Sequence, residues 1–223
     1  MDIWEPGPGL ICLLLAATYG LQAVQVGLLP VPSSFSTFSL LRRRLRGDGA
    51  SCGLSLARLT ILAACAVGSF LAAFIPLVGC LRPRLYAAFL FLPLFAVSAF
   101  CRLFGCLLLV VGSVMSLAAV LTLRRGARFD ASGESEVLIT AGIFRLSRHP
   151  VLVGLGLIYL GFFGLMPSLA LAAGLLLFLV NARVRMELEE AEFSRRFGQD
   201  YHGYAAKVGR LGPRFFQGPS TKE

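Results

Sequence analysis

Apolar residues run along this chain in long blocks separated by short polar and basic stretches. Neither the alternation of a half-buried strand nor the single stripe of an amphipathic helix is present. The first block extends from about Leu10 to Leu29 and stops at Pro30 and Pro32. The second runs from Leu54 to Leu81. The third, Leu85 to Leu123, is too long for one membrane crossing. Arg102 lies near its middle, so the pattern predicts a division into Leu85–Phe100 and Leu103–Leu123. After the polar segment Arg124–His149, the blocks Pro150–Met166 and Ser168–Val184 form a helical hairpin over residues 150–184, with Pro167 at the corner. The remainder, Arg185–Glu223, is charged and aromatic.

A helix crosses the hydrocarbon core of a bilayer with roughly 20 apolar residues, because each residue rises about 1.5 Å. Within lipid every backbone N–H and C=O must be satisfied inside the element, so blocks of this length are helices. The expected fold is an all-α, polytopic membrane helical bundle of five or six transmembrane helices. Residues 1–101 supply the N-terminal transmembrane helices, and 102–223 a second region that ends in a cytoplasmic tail. Six spans follow from the block lengths, but they put the basic loop Arg42–Arg46 outside, against the preference for cytoplasmic Lys and Arg. Five spans place every basic stretch in the cytoplasm and require Leu85–Leu123 to be one bent or re-entrant element.

Composition agrees with this picture. The 223 residues are 57% hydrophobic and 15% charged, and the mean hydropathy is +0.77. The net charge of +9 sits beside apolar blocks rather than in a domain of its own. It therefore reads as topology-setting charge that faces the lipid bilayer, with no nucleic acid partner expected. Cys12, Cys52, Cys65, Cys80, Cys101 and Cys106 form no CxxC pair and have no metal-ligand spacing. Most fall in or beside apolar blocks, so neither a disulfide nor a zinc site is expected. The acidic start Met1–Gly9 does not read as a secretory signal peptide.

Three polar clusters border the last apolar helices. In Arg148-His149-Pro150, Pro150 suits the first helical position and His149 the N-cap, where the helix dipole favours an anion. An interfacial pair that merely anchors a span reads equally well. In the second cluster, Asn181, Arg183, Arg185, Glu187, Glu189 and Glu190, Arg185 and Glu189 lie four apart on one helical face. A solvated helix end with ordinary salt bridges fits these residues taken alone. The third cluster, Phe197-Gly198-Gln199-Asp200-Tyr201-His202-Gly203-Tyr204 with Val208 and Arg210, reads as a helix end and the docking of a tail. No G-x-G-x-x-G, P-loop or H-E-x-x-H motif is present.

Taken in order, these clusters resemble the isoprenylcysteine carboxyl methyltransferase family, a pattern shared more loosely with phospholipid and small-thiol methyltransferases of the membrane. The resemblance is carried by Leu138-Ile139-Thr140-Ala141-Gly142-Ile143-Phe144, Arg148-His149-Pro150 with Gly154, Glu189-Glu190, and Phe197-Gly198-x-x-Tyr201-x-x-Tyr204-x-x-x-Val208. Arg102, Gly105 and Gly112 fit the preceding helix, so the likeness covers about residues 102–214.

The resemblance implies an enzyme with a cytoplasmic C-terminal catalytic region that transfers a methyl group from S-adenosyl-L-methionine. The acceptor would be lipophilic, prenylated or lipid, and reached from the bilayer of a bacterial inner membrane or endoplasmic reticulum. It also implies that Leu138, Ile139, Phe144, His149, Pro150, Leu152 and Glu189 line the cofactor pocket, and that Arg185 holds the acceptor's carboxylate. Glu190, together with His149, is left as a group able to act as base. Phe144 and Leu152 stand where the family usually has tyrosine. The alternatives are a phospholipid amine or small thiol as acceptor, and a non-catalytic scaffold of the same fold.

Overall fold

The computed structural model describes residues 8–28, 56–81, 97–129 and 138–213. The basic loop Arg42–Arg46, most of the Leu85–Phe100 block, Cys52 and residues 214–223 lie outside the described residues. Helix α1 spans Pro8–Leu28. The Leu54–Leu81 block becomes α2, Leu56–Ala73, and α3, Ile75–Leu81, with a turn at Phe74. The break follows from Pro76, which has no N–H to continue the ladder and whose ring crowds the carbonyl one turn before it. Carbonyls beside the break are taken by phenols of other helices: Tyr19 of α1 donates to Ala73 O, and Tyr159 donates to Ser69 O. Neighbouring helices thus re-satisfy the carbonyls freed by the break.

Helix α4 spans Ala99–Phe129, 31 residues. It passes through Arg102 without interruption, so the break expected there is corrected: the helix begins at Ala99, before Arg102. The cause is a cap. Ser98 Oγ accepts from Cys101 N at 3.2 Å, and Ser98 O accepts from Arg102 N at 3.1 Å. The hairpin has the expected corner: α5 is Pro150–Leu165 and α6 begins at Leu169, where buried Ser168 accepts from Leu171 N at 3.3 Å. The second helix does not stop at Val184. It continues to a break at Gly198 (φ 49°, ψ −120°), and the helical run ends at Lys207. The added stretch to Phe197 projects about 20 Å beyond the apolar half.

Helices α4 and α5 are antiparallel and touch backbone to backbone. A Cβ on Gly112 would lie 2.6 Å from Gly154 O, and one on Gly154 2.8 Å from Gly112 O. Further along the seam, a Cβ on Gly161 would lie 2.9 Å from Gly105 O. Small residues allow such approach where lipid supplies no hydrophobic drive between helices. Leu109 and Ser116, both fully buried, complete the α4 face.

Helix α6 packs on α2 through Gly174 against Ala72 and Leu177 against Gly68. Among the described residues there is no strand, only an isolated bridge between Val208 and Pro213. Two helices, Ala99–Arg125 and α6, are long and apolar enough to cross a bilayer, and only a minority of each apolar window is buried. Phe100, Leu103, Phe104, Leu107, Val111 and Val114 form an open stripe on α4. Water disfavours such a surface, whereas hydrocarbon does not.

Candidate active site

The site forms at one end of the bundle, where α4 finishes, α5 starts and α6 leaves its apolar half. The segment leading into α5 turns at Gly142 (φ 63°), beside Thr122 of α4, and winds one 3₁₀ turn over Gly142–Arg145. It then delivers Ser147, Arg148 and His149 to the N-terminus of α5, with Pro150 at the first helical position. Ser147 is fully buried. Its hydroxyl donates to Arg210 O at 2.8 Å and accepts from His149 N at 3.1 Å.

His149 is the N-cap residue, yet its side chain makes no capping bond. The ring lies against α6 instead, with Nδ1 3.2 Å from Glu189 Oε2 and Nε2 3.3 Å from Glu190 Oε1. Each ring nitrogen thus faces a carboxylate oxygen, and both contacts are hydrogen bonds only when both nitrogens carry hydrogen. The anion favoured at a helix N-terminus is supplied by the chain itself.

Arginines surround this core. Arg185 Nε donates to Glu189 Oε1 at 2.7 Å. Arg148 Nη1 lies 3.1 Å from Glu190 Oε1 and donates to Tyr201 Oη at 3.1 Å. Arg210 grips Glu190 with two nitrogens: Nε lies 3.0 and 2.9 Å from its two oxygens, and Nη2 2.6 Å from Oε2.

Both glutamates lie beyond the apolar half of α6. Burial pushes the Glu190 carboxyl upward, but the Arg210 hydrogen bonds and the Arg148 and Arg210 charges outweigh it and hold the group below the usual carboxylate range. The same balance holds Glu189 down, with His149 and Arg185 as the opposing partners. Tyr204 is pushed up to about 12 by burial, and its hydroxyl donates to Phe144 O at 2.7 Å.

Of the residues singled out from the sequence, His149, Glu189, Glu190 and Arg185 are brought into one cluster around the start of α5. Phe144 is only 9% exposed, so its ring is packed into protein rather than open to a ligand. Leu138, Ile139 and Leu152 are half-buried beside it in sequence and offer apolar surface without touching the charged cluster through any polar bond. Glu190 has four nitrogens from three residues on it, which leaves no free lone pair of the kind a base would use.

Sequence reasoning missed Arg210 and Tyr201 as members of the site and placed both in a docked tail. The only signal was Gly198. Its positive φ folds the chain back, so that Ser194 Oγ meets His202 Nε2 at 3.1 Å and the Phe193 ring lies tilted against Tyr201 at 5.8 Å between ring centroids. Eight residues of straight helix would separate such a pair by about 12 Å.

The donor set fits a ligand that carries an ammonium and a carboxylate group. Glu189 is an ionised acceptor for an ammonium group. Arg185 bonds through Nε while its side chain is 40% exposed, so its terminal nitrogens remain able to donate. Buried Arg148 Nε has no partner among the described residues. Three arginines against two glutamates leave positive charge in excess.

Residues 100–200 match the family model described as phospholipid methyltransferase. That segment runs from the start of α4 to just past the Gly198 break and holds His149, Arg185, Glu189 and Glu190. No curated protein matches the chain.

Proposed function

We propose that this chain, whose residues 100–200 match the phospholipid methyltransferase family model, methylates the carboxylate of an isoprenylated cysteine or a similar lipophilic acid. The observation that carries this reading is the His149–Glu189–Arg185 cluster at the end of an apolar hairpin. S-adenosylmethionine, when bound, supplies the methyl group as a sulfonium, an electrophile needing no further activation.

The protein's task is alignment and exclusion of water. Glu189 receives the cofactor's ammonium. His149 and Pro150, with Leu138, Ile139 and Leu152, form the surrounding wall, and Phe144 supports it from the buried side. Arg185 fixes the acceptor's carboxylate with its free terminal nitrogens, a geometry that suits the guanidinium fork. Glu190 orients His149 and Arg148 and is not a base. A carboxylate acceptor is already ionised at neutral pH, so none is required.

The family match itself favours a second acceptor, a phospholipid amine. Such an amine must lose a proton; of the two candidate bases, Glu190 is enclosed by Arg148, His149 and Arg210, and His149 has a carboxylate at each ring nitrogen. The test is calorimetric binding of S-adenosylhomocysteine to detergent-purified protein, followed by labelled methyl transfer to an isoprenylated cysteine, phosphatidylethanolamine and a small thiol. Binding with transfer to the first supports the proposal, and transfer to the second alone replaces it. No binding by folded protein supports a scaffold that has lost the activity.

A further inference from the structure

We infer that Arg210 is a positioning residue for this site: the segment after the Gly198 break is a latch whose guanidinium fixes Glu190, and through it the ring of His149. The inference rests on the proposed cofactor site and goes beyond it, because the tail supplies a working part rather than a packing surface.

The latch is held by main chain and side chain together. Gly209 O accepts from Arg148 N at 3.0 Å, and Arg210 O accepts from Ser147 Oγ at 2.8 Å. The same Ser147 oxygen accepts from His149 N at 3.1 Å. Tyr204 donates to Phe144 O, and Val208 bridges to Pro213, which turns the segment over the site. Residues 144, 147, 148 and 149 are thus each tied, directly or through one atom, to residues 201–210.

Arg210 adds the charge. It is the only residue that contacts both oxygens of Glu190 among the described residues, and it is 48% exposed where Glu190 is 11% exposed. The cation comes from outside and the anion stays in place. The charged and titratable groups facing Glu190 are Arg148 and His149 from the start of α5 and Arg210 and Tyr201 from the tail. Without Arg210, Glu190 loses the largest of the influences that hold its carboxyl down, and the carboxyl moves up. Once protonated, that carboxyl no longer offers the same acceptor to His149 Nε2.

The test is S-adenosylhomocysteine binding by calorimetry from pH 5 to pH 8, with thermal unfolding measured in the same buffers. The proteins compared are wild type, Arg210→Lys, Arg210→Gln, Glu190→Gln and the Glu190→Gln/Arg210→Gln pair. Arg210→Gln is expected to weaken binding about tenfold, the effect of one charge-assisted hydrogen bond, with the loss growing as pH falls. Arg210→Lys should recover part of it. The double variant should bind no worse than Glu190→Gln alone, since the arginine then has no charge to hold. Binding by Arg210→Gln equal to wild type at every pH overturns the inference, as does a pH-independent loss that follows the unfolding midpoint. If Arg210→Gln does not fold, Arg210→Lys must still show the shifted acid limb, and a wild-type profile in that variant also overturns it. Failure of wild type to bind would instead overturn the cofactor site, and this inference with it.

Discussion

At the scale of single residues, the two adjacent glutamates have separate tasks although the sequence gives them one context. Glu189 shares one arginine and one histidine and keeps capacity for a ligand, whereas Glu190 is enclosed by Arg148, His149 and Arg210. Glu189→Ala is therefore expected to weaken S-adenosylhomocysteine binding at least about tenfold, read by calorimetry. Arg185→Lys should lower turnover more than cofactor affinity, because an ammonium keeps the charge but loses the fork; a KM-against-kcat comparison reads it. The pH dependence has a definite sign. Both carboxyls are depressed in the folded protein, so their stabilisation is full above the ordinary value of 4.5 and is lost as pH falls through the lower folded values. Unfolding midpoints should fall on acidification below that value, and Glu190→Gln should flatten the curve. The residues of the second cluster were legible because Arg185 and Glu189 obey the helical i, i+4 rule. Arg210 was not, because it lies 20 positions from Glu190 and no local periodicity reports a contact made by a folded-back chain.

At the scale of elements, prolines and serines marked the boundaries more reliably than charge did. Pro150, Pro167 and Ser168 placed the hairpin, while Arg102, an apparent interruption, lies within the first turn of α4. A charge near a helix end need not break it, whereas Ser98 Oγ supplies the side-chain acceptor that the free backbone N–H groups at the start of a helix require. Ser98→Ala should cost about 1 kcal/mol, seen in thermal unfolding. Gly198→Ala places a side chain at φ 49°, ψ −120°, a conformation that costs about 1–3 kcal/mol for residues other than glycine. It should loosen residues 201–213 first, which amide exchange at Arg148 and Val208 would detect.

At the scale of the molecule, helical character and a membrane-facing surface were both readable from the length of the apolar blocks. Their arrangement was not, since block length says nothing about which helices touch. Val114, exposed near the middle of Ala99–Arg125, provides the test. Val114→Arg should reduce the membrane-integrated fraction, at a cost of about 2.5–3.5 kcal/mol for a charge at the centre of a span. Equal membrane recovery of variant and wild type would contradict a lipid-facing α4. The contact between α4 and α5 has a further consequence for traffic. Where Gly112 and Gly154 bring two backbones together, no hydrocarbon tail can slip between the helices. That side of the bundle is a closed wall, and a guest arriving sideways from the bilayer must come in through a different doorway.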